Sequence, residues 1–207
     1  LTAFLLGAGM YSSFIVFPQF AQLPRSTGFG FGASVVVSGL YLLPSTIGMV
    51  VIGFSSGAIA RTFGSKRAAV AGSAVTAAAF AVIAIAHAHP YELLISTALL
   101  GIGIGLAFAA LGNLIVQAVD AHQTGAAGGM NTVVRTIGGA IGGQLAATLI
   151  SEHVGRDGLP AVTGFTDSFV LATGFLVVCA FAGLLIPGRP KEVDAPEWEP
   201  AFSSSQD

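Results

Sequence analysis

Apolar residues run through this chain in six long blocks parted by short polar breaks, at about 1–21, 33–60, 67–86, 91–119, 124–151 and 168–187. A helix crosses a bilayer with about 20 mostly apolar residues, so each block predicts one transmembrane helix, here helices a to f. The fold class expected is an all-α membrane protein. Residues 188–207 have another character, with prolines, mixed charge and a Ser-rich end, the composition of a disordered terminus.

What interrupts each block sorts the helices. Helix a carries Tyr11, Ser12 and Ser13 at mid-depth and Pro18 further on, where a missing hydrogen bond should kink or loosen its end. Tyr11 and Ser12 are candidates to line a substrate pathway; alternatively Ser12 and Ser13 bond only their own backbone. Helix b is expected as one long helix that tilts or extends into the cytoplasm, containing Pro44 with Ser45 and Thr46 beside it. Helices c and f lack a polar stripe and read as lipid-facing supports. Helix d places Asn113 and Gln117 four apart on one face, either lining a pathway or bonding across to a neighbour.

Helix e is the least ordinary. Its stretch GAAGGMNTVVRTIGGAIGG pairs small residues four apart, at Gly125 and Gly129, Gly138 and Gly142, and Gly139 and Gly143, a pattern that lets a neighbouring backbone approach. It also holds Arg135, about 17 Å in from Thr124 and so near the midplane. An arginine there costs about 2.5–3.5 kcal/mol on insertion scales and must face protein or water. Asn131, one turn earlier on the same face, joins it as a pathway candidate.

Composition agrees with the pattern: 54% of residues are hydrophobic and only 9% charged, where a soluble domain has about 25%. A net charge of −2 without a basic cluster gives no case for nucleic acid. All ten acids lie in loops, helix ends or the tail, so no carboxylate stands at mid-membrane. The four histidines fall in loops, and His87 and His89 lack the further ligands a metal site needs. Gly53 to Gly57 matches G-x-S-x-G, but inside an apolar helix and without an acid–base partner, so no enzyme is expected. Lys and Arg then set the orientation. Five basic residues (Arg61, Lys66, Arg67, Arg189, Lys191) against two (Arg25, Arg156) place the b–c loop and the C-terminus in the cytoplasm.

The b–c loop, Gly57-Ala-Ile-Ala-Arg61-Thr62-Phe-Gly64-Ser-Lys66-Arg67, resembles the signature loop of the major facilitator superfamily. Gly57, Gly64, Lys66 and Arg67 match in spacing, whereas Arg61 stands where that loop has an acid and Thr62 where it has a base. The run from Gly129 to Gly142 also looks like the penultimate helix of the fourteen-helix drug/proton antiporter branch.

That resemblance implies the C-terminal six-helix half of a transporter, built as two inverted three-helix repeats, a–b–c and d–e–f. It further implies proton-coupled export of drugs or other amphipathic small molecules across a bacterial plasma membrane, by alternating access and without a cofactor beyond the proton gradient. The expected partners are lipid, the substrate and an N-terminal half, since the chain opens on Leu1 as a fragment would. The alternative is a stand-alone six-helix module with a structural role.

Overall fold

A computed structural model describes residues 1–155 and 158–185; the expected tail at 188–207 and Arg156 lie outside the described residues. Seven α-helices follow one another: α1 (Thr2–Gln22), α2 (Val35–Tyr41), α3 (Leu43–Phe63), α4 (Ser65–Ile85), α5 (Pro90–Ala118), α6 (Thr124–Glu152) and α7 (Val162–Leu184). Among the described residues they make six spans long and apolar enough to cross a membrane, with α2 and α3 together forming the second.

Two boundaries differ from the sequence expectation. Helix b is not one continuous helix: it breaks at Leu42, whose N–H bonds back to Gly39 at 3.0 Å before α3 begins. Pro44 explains the break, because it has no N–H to carry the helical ladder. The last span starts at Val162 rather than Ser168. Its polar opening looks like loop, but the Ser168 hydroxyl turns inward and donates to Ala146 O of α6 at 3.1 Å and to Gly164 O at 2.7 Å. In α1, by contrast, the helix runs through Pro18 without interruption.

The packing has an internal symmetry. The first helix of each repeat packs on the second and third helices of the other: α1 on α6 and α7, α5 on α3 and α4. The two third helices, α4 and α7, meet each other. This exchange of partners is the pairing expected of two three-helix repeats.

Glycine makes the tight crossings possible. Where α1 meets α6, a Cβ on Gly138 would collide with Phe4 O, one on Gly142 would lie 2.6 Å from Ala8 Cα, and one on Gly7 would strike Arg135 O. The α3–α5 crossing repeats this, with Gly101 against Ser45 and Gly48 against Ile102 N. Inside a bilayer lipid is as apolar as leucine, so such packing contacts rather than water exclusion hold helices together. Gly125 and Gly129 do not share in it, since each faces open space. Gly129 and Gly138 are nine residues apart, about two and a half turns, so they stand on opposite sides of α6.

α4 is also more than a lipid-facing support. Ser73 and Thr76 are fully buried, and a Cβ on Gly72 would press on Ala107 of α5. Serine and cysteine stitch the third helices inward: Ser73 Oγ lies 3.4 Å from Cys179 Sγ, which donates to Thr2 O of α1 at 3.4 Å. α7 keeps the expected outward face, with Val170, Val178 and Phe181 exposed. At the end remote from the α3–α4 turn, Phe20 anchors an aromatic cluster, with ring centroids of Phe165, Phe31 and Phe29 at 5.5, 5.7 and 5.8 Å.

Filling a glycine crossing tests this account. Gly138→Leu and Gly142→Leu should each destabilise by at least about 1–3 kcal/mol, the usual cost of overpacking. Gly174→Leu, where a Cβ meets nothing within 4 Å, should be near neutral. Thermal unfolding of the purified protein in detergent reads the difference.

Candidate functional site

Arg135 lies where α1, α5 and α6 come together. Its stem is held against α1, because a Cβ on Gly7 would come within 2.9 Å of Arg135 Cγ. The guanidinium reaches across to α5, with its carbon 4.1 Å above the centroid of the Phe108 ring. Such a cation–π contact contributes about 0.5–1 kcal/mol in water and about 2 when desolvated, so it offsets part of the cost of the half-buried charge. It leaves a donor unspent: among the described residues Nε is buried with no hydrogen-bond partner, and no carboxylate lies within 4 Å. A planar cation held this way is open to an anionic or carbonyl group arriving from outside these six helices.

Asn131, one turn before Arg135, is half-buried. One turn after it, Gly139 receives the Tyr11 ring, whose Cδ2 lies 2.5 Å from where a Cβ would stand. Tyr11 meets the exposed Phe14 edge-on at 6.2 Å, so Asn131, Arg135, Tyr11 and Phe14 form a polar and aromatic strip along the α1–α6 seam. Gly143 continues the seam, with Ile15 Cδ1 at 2.9 Å.

Other candidates fall elsewhere. The Ser12 hydroxyl donates to Ala8 O at 2.7 Å and Ser13 to Met10 O, so both are spent on their own helix. Gln117 donates to Ser65 Oγ at 3.2 Å, bonding across to α4 instead of turning to the strip, and Asn113 lies four residues before it on the same face. His87 packs edge-on to Phe20 at 6.0 Å, and His89 pairs with Glu92 at 3.5 Å.

The α3–α4 turn is tight, and Gly64 makes it so. Its φ of +78° lies in the left-handed region, where another residue would be strained by about 1–3 kcal/mol. Gly57 and Arg61 lie exposed on the last turns of α3; Lys66 and Arg67 open α4. No carboxylate pairs with Arg61, Lys66 or Arg67 among the described residues.

Comparison with known proteins decides the family. Residues 1–205, nearly the whole chain, match the Major Facilitator Superfamily. The chain belongs to this family of membrane transporters. It is also 32% identical over 127 residues to the tetracenomycin C resistance and export protein of Streptomyces glaucescens. That alignment takes in 60% of this chain and 23% of the relative, so the chain spans well under two thirds of the curated protein it matches.

The family is one of transporters and not of enzymes. Phe108 is the partner of Arg135 that sequence reasoning missed. The only cue was a single large ring within the small-residue run GIGIGLAFAALG. Ser65, the partner of Gln117, carried no signal because pairing across 52 residues depends on how α4 and α5 dock.

Two substitutions separate strip from scaffold. Ser12→Ala should change thermal stability by no more than about 0.5 kcal/mol. Phe108→Ala should cost at least about 1 kcal/mol, through the lost ring and the uncovered guanidinium. The reverse order in a detergent melting series would contradict the assignment.

Proposed function

We propose that this chain is the C-terminal half of a proton-coupled exporter of drugs or other amphipathic small molecules. The observation that carries the reading is the Arg135 guanidinium over Phe108, its buried Nε without a hydrogen-bond partner among the described residues, at the meeting of both first helices with α6. A charge in that position has a reason to persist only if something else meets it during the cycle. The partner is an acid or carbonyl of the other half in one conformational state, or an anionic group on the substrate.

Further features support a second half. α6 exposes a stripe of small and polar residues, Gly125, Gly129, Thr132, Thr136 and Ala140, along one side. Small residues suit a helix neighbour better than lipid does. The drug-export class rests on the relative's printed role and on the likeness of α6 to the fourteen-helix antiporter branch. Because no acid stands at mid-span in these helices, the proton-binding carboxylate belongs to the rest of the protein. The chain then sits in a bacterial plasma membrane with the α3–α4 turn and C-terminus cytoplasmic, by the positive-inside rule.

The test is transport by the full-length protein in proteoliposomes under an imposed pH gradient, with a panel of dyes and drugs. Gradient-dependent movement of at least one compound is expected, and none at all would overturn the exporter reading. Arg135→Ala and Arg135→Lys should each lower the rate by about tenfold or more, since lysine keeps the charge but loses the planar stack. Unchanged transport by both variants would remove Arg135 from the mechanism.

A further inference from the structure

We propose that the groove between α3 and α4 binds one acyl chain of an anionic phospholipid, with the lipid phosphate on Arg67. The inference needs only that these helices span a membrane, and it stands apart from the transport reading. α3 and α4 are joined through Gly64 and touch little beyond it, so a cleft opens between them with α5 as its floor. The cleft holds about 300 Å³ and is lined by Ile52, Ile59 and Phe63 of α3, Ala68 and Ala71 of α4, and Leu106 of α5. Its one charged lining residue is Arg67, at the end where α4 begins.

Length and charge both select the occupant. From Ile52 to Phe63 the groove runs about 16 Å along α3, at 1.5 Å per residue. One leaflet of a bilayer whose core is about 30 Å thick is roughly 15 Å deep, so the groove is one acyl chain long and ends at the headgroup level. There the chain carries Arg61, Lys66 and Arg67, and none of them has an ion-pair partner among the described residues. Among the described residues both acid–histidine pairs, His89 with Glu92 and His153 with Asp167, lie at the opposite end of the helices. A facilitator loop with its usual acid would neutralise part of this charge; here Arg61 occupies that place and adds to it. A phosphodiester supplies the missing anion, and a guanidinium takes it in bidentate fashion.

Native mass spectrometry of the purified full-length protein, incubated with equal phosphatidylglycerol and phosphatidylcholine, tests this. Wild type should retain phosphatidylglycerol over phosphatidylcholine by about fivefold or more, the scale of one basic residue at a charged membrane surface. Arg67→Gln should reduce that preference to under about twofold, and so should Ala71→Trp, which fills the groove without touching the charge. Arg61→Gln, outside the groove, should leave most of it. Equal losses in the Arg61 and Arg67 variants would mean diffuse attraction to a basic loop and overturn the proposal. Full retention in Ala71→Trp would also overturn it, because no acyl chain would then occupy the groove. Displacement of the lipid by excess inorganic phosphate would reassign Arg67 to a free anion, and a dimer lost in Ala71→Trp without lipid preference would give the groove to a second copy. Should Arg67→Gln fail to fold, the Ala71→Trp and phosphate arms still decide.

Discussion

The six spans are held by helix crossings at which backbone meets backbone with no side chain between. Gly7, Gly138 and Gly142 set α1 on α6, and Gly48 and Gly101 set α3 on α5. In lipid there is no water to expel, so the gain must come from contact itself, and contact is greatest where side chains are smallest. The two crossings are related by the repeat symmetry, so one device placed twice positions both first helices. The α1–α6 crossing also sets the electrostatics. The missing side chain of Gly7 lets the Arg135 stem lie against α1, and its head extends to Phe108 on α5.

Charge is confined elsewhere. Apart from Arg135, charged residues within the described helices stand at or near helix ends, where they reach water or headgroups. Among the described residues, Arg135 is therefore the charge whose energy depends most on what stands opposite it. An aromatic face offsets a cation without satisfying its donors, and that leaves the residue responsive to a partner. The strip of Asn131, Tyr11 and Phe14 beside it offers polar and aromatic contacts within the same seam. The α3–α4 turn is a second charged feature, positive throughout, and is shaped by one glycine at positive φ.

Much of this was legible in the order of residues. Block length alone marks six spans, because hydrogen bonding in lipid permits only helices or closed barrels. The depth of Arg135 follows from its distance along α6, and the turn at Gly64 from the signature spacing. Position within a helix was less legible than position along it. Gly125 and Gly129 share the four-residue repeat of Gly138 and Gly142, yet the odd half-turn between the two pairs sends them to opposite sides. Ser12 and Gln117 look alike as polar residues in apolar helices; one bonds its own backbone and the other a neighbouring helix.

Sequence by itself thus determined the class and the number of spans, since these depend on transfer between water and lipid, a property of each residue type. Only the tertiary structure decided which faces meet. That choice joined Arg135 to Phe108, left the Gly125–Gly129 stripe uncovered and opened the cleft between α3 and α4. Such pairings depend on phase and close approach between helices distant in sequence, and no local pattern records them.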